Sequence, residues 1–197
     1  MKAAKTGERM RHRENQVGLH LVYTAKFEGW DLEVIIEERA TIQWYACCGK
    51  TAMKVFSIGF THKSAEEFFG TLKTNRIERL LDVRLSNTSQ LAGFTKQADL
   101  QYFLREICGI EYKHEPLLAP SEELFRAYRK ENGTWEALAK GYLKLLKARK
   151  IESVLNLSDF KKPTVLLCSE ATPEHCHRRL ALEYLQEHWG GLTIHHL

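Results

Sequence analysis

The chain has 197 residues, 44% of them apolar and 27% charged, the proportions of an ordinary globular protein with room for one domain and an appendage. No run approaches the ~20 apolar residues of a membrane-crossing helix, and the basic N-terminus leads into no apolar stretch of signal-peptide type. A membrane partner is therefore excluded from expectation, and a cytoplasmic location is expected. The formal charge of +4 is local: Lys2, Lys5, Arg9, Arg11 and Arg13 stand against Glu8 alone, and the remaining residues are balanced. Residues 1–13 read as a short solvated tail, with contact to nucleic acid as the alternative.

The five cysteines are Cys47, Cys48, Cys108, Cys168 and Cys176. Their odd number and irregular spacing suit reduced thiols rather than a disulfide framework. Cys108 lies among apolar residues and reads as a core residue. Cys47 and Cys48 are adjacent on a predicted strand, where neighbouring side chains point apart, and do not read as a metal pair.

Residues 1–52 are predicted as an N-terminal extension. HLVYTA (20–25) and LEVIIEERATIQWYACC (32–48) are rich in β-branched and aromatic residues and predict two or three strands, with a turn at Gly29-Trp30-Asp31. From residue 53 strand and helix alternate. KVFSIG (54–59) is a short apolar strand. Ser64 and Glu67 form a capping box for a helix that buries Phe68, Phe69 and Leu72. RLLDV (79–83) is the next strand, followed by a polar loop and a helix opened by Thr95 and ended by Gly109. IEYKH (110–114) follows as a strand. Ser121 and Thr134 then cap two further helices. Thr164 to Leu167 form a buried strand ending at Cys168, and Thr172-Pro173 open a helix to about His188. LTIHH closes the chain as a strand. Strands separated by helices of 10–15 residues predict an α/β fold, a mainly parallel sheet with helices on both faces.

In such sheets ligands bind beyond the carboxyl ends of the strands. That rule selects Thr61 and His62 after the first strand, Asp82 and Arg84 after the second, and Cys168 and Glu170 after the fourth. Cys176, His177 and Arg178 join them from the helix start. Three chemistries are open. An anion could sit at the helix start on amides and Arg178, with Asp82 and Glu170 as acid and base. Cys168 or Cys176 could be a nucleophile, its thiol acidified by the helix start and a neighbouring cation, with Glu170 or His177 moving the proton. Zinc is the third, and the spacing disfavours it: Cys-x7-Cys-His is not a usual zinc-finger spacing, and adjacent Cys176 and His177 on a helix do not readily converge. No metal or other cofactor is expected. A purely structural role is the counter-reading, with Asp82 capping a loop amide and pairing with Arg84.

VFSIGFTHKSAEEFFGTL (55–72), LLDVR (80–84), Phe94-Thr95-Lys96, Gly-Ile-Glu-Tyr (109–112) and LLCSEATPEHCHRRL (166–180) together resemble the DUF488 family over nearly all of residues 54–197. Its Cys-x-Glu then Cys-His-Arg pattern is matched by Cys168, Glu170, Cys176, His177 and Arg178. The resemblance implies an enzyme without an established reaction. Two features depart from the family: Gly59-Phe60-Thr61-His62 replaces Gly-His-Ser, and Leu85 to Gly93 lacks basic residues, which weakens a phosphate role for that loop. The expectation is a DUF488-like α/β domain at 53–197 acting on a nucleotide, nucleic-acid component or other anionic metabolite. Asp82, Glu170, Cys168 and Cys176 are its catalytic candidates. Arg84, His177, Arg178, Thr61 and His62 are its binding candidates. The alternative is a non-enzymatic nucleic-acid-binding or partner-binding module.

Overall fold

The computed structural model describes residues 53–197 (Leu91 through its backbone alone) and, before them, four strands. The readings placed on residues 1–8 and on Cys47–Cys48 lie outside the described residues. The chain divides into two compact units, Met1–Thr51 and Ala52–Leu197.

The first unit is an antiparallel sheet in the order β1-β2-β3-β4, with β1 at Arg9–Asn15, β2 at Gly18–Phe27, β3 at Trp30–Ile36 and β4 at Gln43–Tyr45. Two expectations are corrected. Arg9 to Arg13 belong to a strand and not to a free tail, and Trp30 and Asp31 belong to β3 and not to a turn. β1 escapes a propensity reading because it is charged, a composition suited to a sheet edge, where charge opposes further pairing.

The second unit holds β5 (Met53–Gly59), β6 (Arg79–Asp82), β7 (Glu111–His114), β8 (Thr164–Cys168) and β9 (Leu192–His196) in the order β7-β6-β8-β5-β9. Every pair is parallel, so the expected α/β architecture is what the chain adopts. The pleat sends Val55, Leu81 and Leu166 to one face, where they pack with Tyr142, Leu146, Leu180 and Leu185. Phe56, Ile58, Leu80, Val165 and Leu167 go to the other, against Phe68, Phe69, Leu72, Leu100 and Leu104. The first face is thus covered by α4 (Trp135–Ala148) and α6 (His177–Trp189), the second by α1 (Ala65–Thr74) and α2 (Gln97–Phe103). Between them lie α3 (Glu122–Lys130) and the short α5 (Ile151–Val154). No helix of the described residues is long and apolar enough to cross a membrane.

Local signals explain several helix ends. Ser64 and Glu67 exchange the two bonds of a capping box, Ser121 and Thr134 accept the amides of Leu124 and Ala137, and Gly109 ends the helical part of the second crossover at φ 66. Two helix starts differ from expectation. α2 begins at Gln97 after Lys96, because the Thr95 hydroxyl donates instead to the Ala92 carbonyl. α6 begins at His177, with Cys176 as its extended N-cap residue, so Thr172 and Pro173 lie in the preceding turn.

Candidate functional site

The helices after β5 and β6 lie on one face of the sheet and the helix after β8 on the other. The carboxyl end of β8, between β5 and β6, is therefore where the connections part, the position at which such sheets bind ligands. Cys168 is the last residue of β8 and, two positions after Leu166, points to the α6 face. Cys176 is in extended backbone, φ −133 and ψ 134, rather than on the helical spiral. Its side chain and that of His177 consequently do not diverge as consecutive helical positions would. The sulfurs of Cys168 and Cys176 and a ring nitrogen of His177 lie within 4.8 Å of one another, all three residues buried. The objection that Cys176 and His177 do not converge is thereby overturned.

His177 has a fixed orientation. Its Nε2–H donates to the Val83 carbonyl at 3.0 Å, which turns Nδ1 toward Cys168 Sγ at 3.6 Å. The Val83 carbonyl is held in place in turn, since the Val83 amide donates to the Leu167 carbonyl. Tyr142 and Phe125 put ring edges on the imidazole at 5.7 and 5.8 Å. In this setting the Cys168 thiol falls well below its ordinary pKa, chiefly through the Cys176 hydrogen bond, helped by His177 and the Glu170 amide against the cost of burial. The Cys176 thiol moves the opposite way, raised by that hydrogen bond, burial and the neighbouring thiolate. His177 is raised: burial opposes its charge, but Cys168, the Val83 carbonyl and Glu170 together outweigh it. These directions favour Cys168 over Cys176 as the thiolate, with a more basic His177 beside it.

Arg178 closes the cluster. It is fully buried, and its bonds go to the Ser57 hydroxyl (3.2 Å), the Glu170 carbonyl (2.6 Å), the Ala171 carbonyl (3.4 Å) and Cys176 Sγ (3.3 Å). None of these partners is a carboxylate. Ser57 also meets His196 Nδ1 at 2.7 Å. Gly59 lets the loop approach, because a Cβ there would lie 1.7 Å from the Glu170 carbonyl oxygen. Thr61 clamps the same loop by donating its hydroxyl to the Ser169 carbonyl.

Asp82 and Arg84 form a second, separate cluster. Asp82 follows Leu80 on the α1–α2 face, so the pleat turns it away from Cys168. Arg84 donates to both of its oxygens at 2.7 and 2.6 Å, and Tyr112 and Asn87 add bonds at 2.9 and 3.2 Å. Arg84 also reaches Thr95, and its own carbonyl accepts from His114 Nε2 at 2.9 Å. The pair is buried, 3% and 0% exposed, and fastens the loop that carries the Val83 carbonyl. The Glu170 side chain is at the rim, half exposed and paired with Arg129 at 2.6 Å. His62 is exposed in a left-handed turn at φ 65. Six of the nine candidates therefore fall into two buried groups, while Thr61, His62 and Glu170 lie at the edge.

Ser57, Phe125, Tyr142 and Arg129 escape sequence reading. Ser57 shares its pleat face with Gly59, a signal that was available. Phe125 and Tyr142 occupy positions that read only as apolar helix face. Arg129 looks like any basic residue at a helix end.

Chemically the cluster offers a thiol whose ionisation is favoured, a second thiol and a positioned imidazole. Its three donors also suit a soft metal ion: the 3.6 Å Cys168–His177 separation equals the bite of about 3.6 Å between sulfur and nitrogen on a tetrahedral zinc. These features define an α/β protein with a buried thiol site at the carboxyl end of its central strand. Residues 64–185 match the family model described as domain of unknown function DUF488, and the chain belongs to that family. No curated protein and no solved structure matches it.

Proposed function

We propose that the protein is an enzyme that acts on a small anionic metabolite, nucleotides and nucleic-acid components among them, by covalent catalysis at Cys168. The observation that carries this reading is the fully buried Arg178 without a carboxylate. Cys168, Cys176 and His177 together are neutral, whether as thiols and imidazole or as thiolate, thiol and imidazolium. Arg178 therefore leaves the cluster one positive charge, expensive in a buried site and relieved by an incoming anion. Cys168 attacks, and His177 Nδ1 supplies a proton to the leaving group. Asp82 and Arg84 hold the loop that fixes His177 rather than touch substrate.

Entry is under α3, none of whose residues is buried and which is tied across the site by the Arg129–Glu170 pair. The test is competition between two alkylating reagents of similar size, anionic iodoacetate and neutral iodoacetamide. Peptide mass spectrometry is expected to find Cys168 carboxymethylated in preference, and Arg178→Gln to abolish the preference. If the neutral reagent wins at Cys168 in the wild-type protein, the anionic-substrate reading is wrong.

A further inference from the structure

Cys176 brings more to the cluster than covalent catalysis at Cys168 requires. A single nucleophile needs an acidifying hydrogen-bond donor and a proton source; a hydroxyl in place of the Cys176 thiol would serve as the first, and His177 serves as the second. Yet a second thiol stands within 4.8 Å of the first, held by Arg178 Nη1 at 3.3 Å. The intervening Ser169 to His175 form bends and turns rather than helix or strand.

We propose that Cys168 and Cys176 form a dithiol that reduces small hydroperoxides, with Cys168 attacked first by the oxidant and Cys176 resolving the product. This activity rests on Cys168 being the reactive thiolate. The substrate class follows from burial. Cys168 is 3% exposed and Cys176 1%, so hydrogen peroxide fits where a bulky disulfide such as oxidised glutathione does not. In the first step the Cys168 thiolate attacks one peroxide oxygen. The O–O bond breaks, an S–O bond forms, and the departing hydroxide takes the His177 Nδ1 proton and leaves as water. In the second step the Cys176 sulfur attacks Cys168 sulfenic acid: an S–S bond forms, the S–O bond breaks, and the Cys176 proton leaves with the hydroxyl as a second water. The sum is two thiols and one hydrogen peroxide giving one disulfide and two waters. A small-molecule dithiol, which the same burial still admits, restores the reduced state by exchange.

The test adds one equivalent of hydrogen peroxide to the reduced full-length protein under native conditions. The expected product is about 2 Da lighter, the loss of two hydrogens, has lost two of its five thiols, and yields a Cys168–Cys176 linked peptide. Cys176→Ser is expected to stop about 16 Da heavier, at the sulfenic acid. The wild-type peptide map stands alone should that variant not fold. A linkage through any other pair, or Cys168 carried to sulfinic acid with Cys176 still free, overturns the proposal. Iodoacetamide labelling of the same sample separates the two readings. Cys168 that alkylates at neutral pH but forms no disulfide sinks only the peroxide activity. Cys168 inert to both reagents sinks the nucleophile as well.

Discussion

Gly59→Ala is the most severe single-methyl change that the site admits. The added Cβ would sit 1.7 Å from the Glu170 carbonyl oxygen and 3.1 Å from Arg178 Nη1. The first atom belongs to backbone, so the loop must withdraw by well over an ångström to reach van der Waals distance. Withdrawal breaks the 2.6 Å bond from Arg178 Nη1 to that carbonyl. The loss of a charge-assisted bond by a buried guanidinium is worth about 1.5–3 kcal/mol, and overpacking adds about 1–3 kcal/mol. A destabilisation of about 2.5–6 kcal/mol is therefore expected in urea unfolding. Gly59 is also the register partner of Cys168, so Cys168 should lose its enhanced alkylation even where the variant stays folded. A variant within about 1 kcal/mol of wild type, with Cys168 reactivity intact, would refute the reasoning that this close approach builds the site.

Gly70→Ala is the matched control: it lies within α1 with nothing inside 4 Å of its Cβ, and should stabilise by about 0.5–1 kcal/mol in the same assay. Asp82→Asn removes the countercharge of buried Arg84 and should cost about 3–5 kcal/mol; a neutral outcome would show that the pair does not anchor its loop. The sign of the cluster's pH dependence follows from these directions. Cys168, lowered on folding, contributes stability that is lost as pH falls through its folded pKa, whereas Cys176 and His177, raised on folding, contribute stability that is lost as pH rises through theirs. In thermal melts against pH, wild type should lose stability relative to Cys176→Ser as pH rises above about 8.5; a relative gain there contradicts this assignment. Protein prepared without chelator should carry less than stoichiometric zinc by elemental analysis, and one zinc per chain would show that the three donors serve a metal instead.

The strand-and-helix alternation was legible because β5, β6 and β8 are short apolar runs between capped helices, and the capping box at Ser64 could be named before any coordinates. The separation of Asp82 from Cys168 was hidden by the same feature that revealed the strands. In a parallel sheet buried on both faces the residues are apolar in succession, and the period that assigns a side chain to a face is lost. Only the packing of Leu80 with the α1–α2 layer and of Leu166 with the α4–α6 layer restores it. The start of α6 was misjudged because Thr172-Pro173 is a good helix opening by local chemistry. The loop is instead held by Arg178 through the Glu170 and Ala171 carbonyls, a tertiary contact that no local signal encodes. The choice between Arg178 and Arg179 was likewise open in the sequence. Arg178 is buried, whereas Arg179 reaches outward to Glu183 at 3.6 Å.

The central claim, that Cys168 is a thiolate sustained by Cys176 and His177 together, is tested most directly by its alkylation rate against pH in wild type and in His177→Asn. A half-maximal rate well below the free-thiol value of about 8.5 in wild type, moved upward in His177→Asn with the Cys176 thiol still unreactive, is the predicted result. Half-maximal alkylation of Cys168 near that free-thiol value, indifferent to the loss of the imidazole, would contradict it.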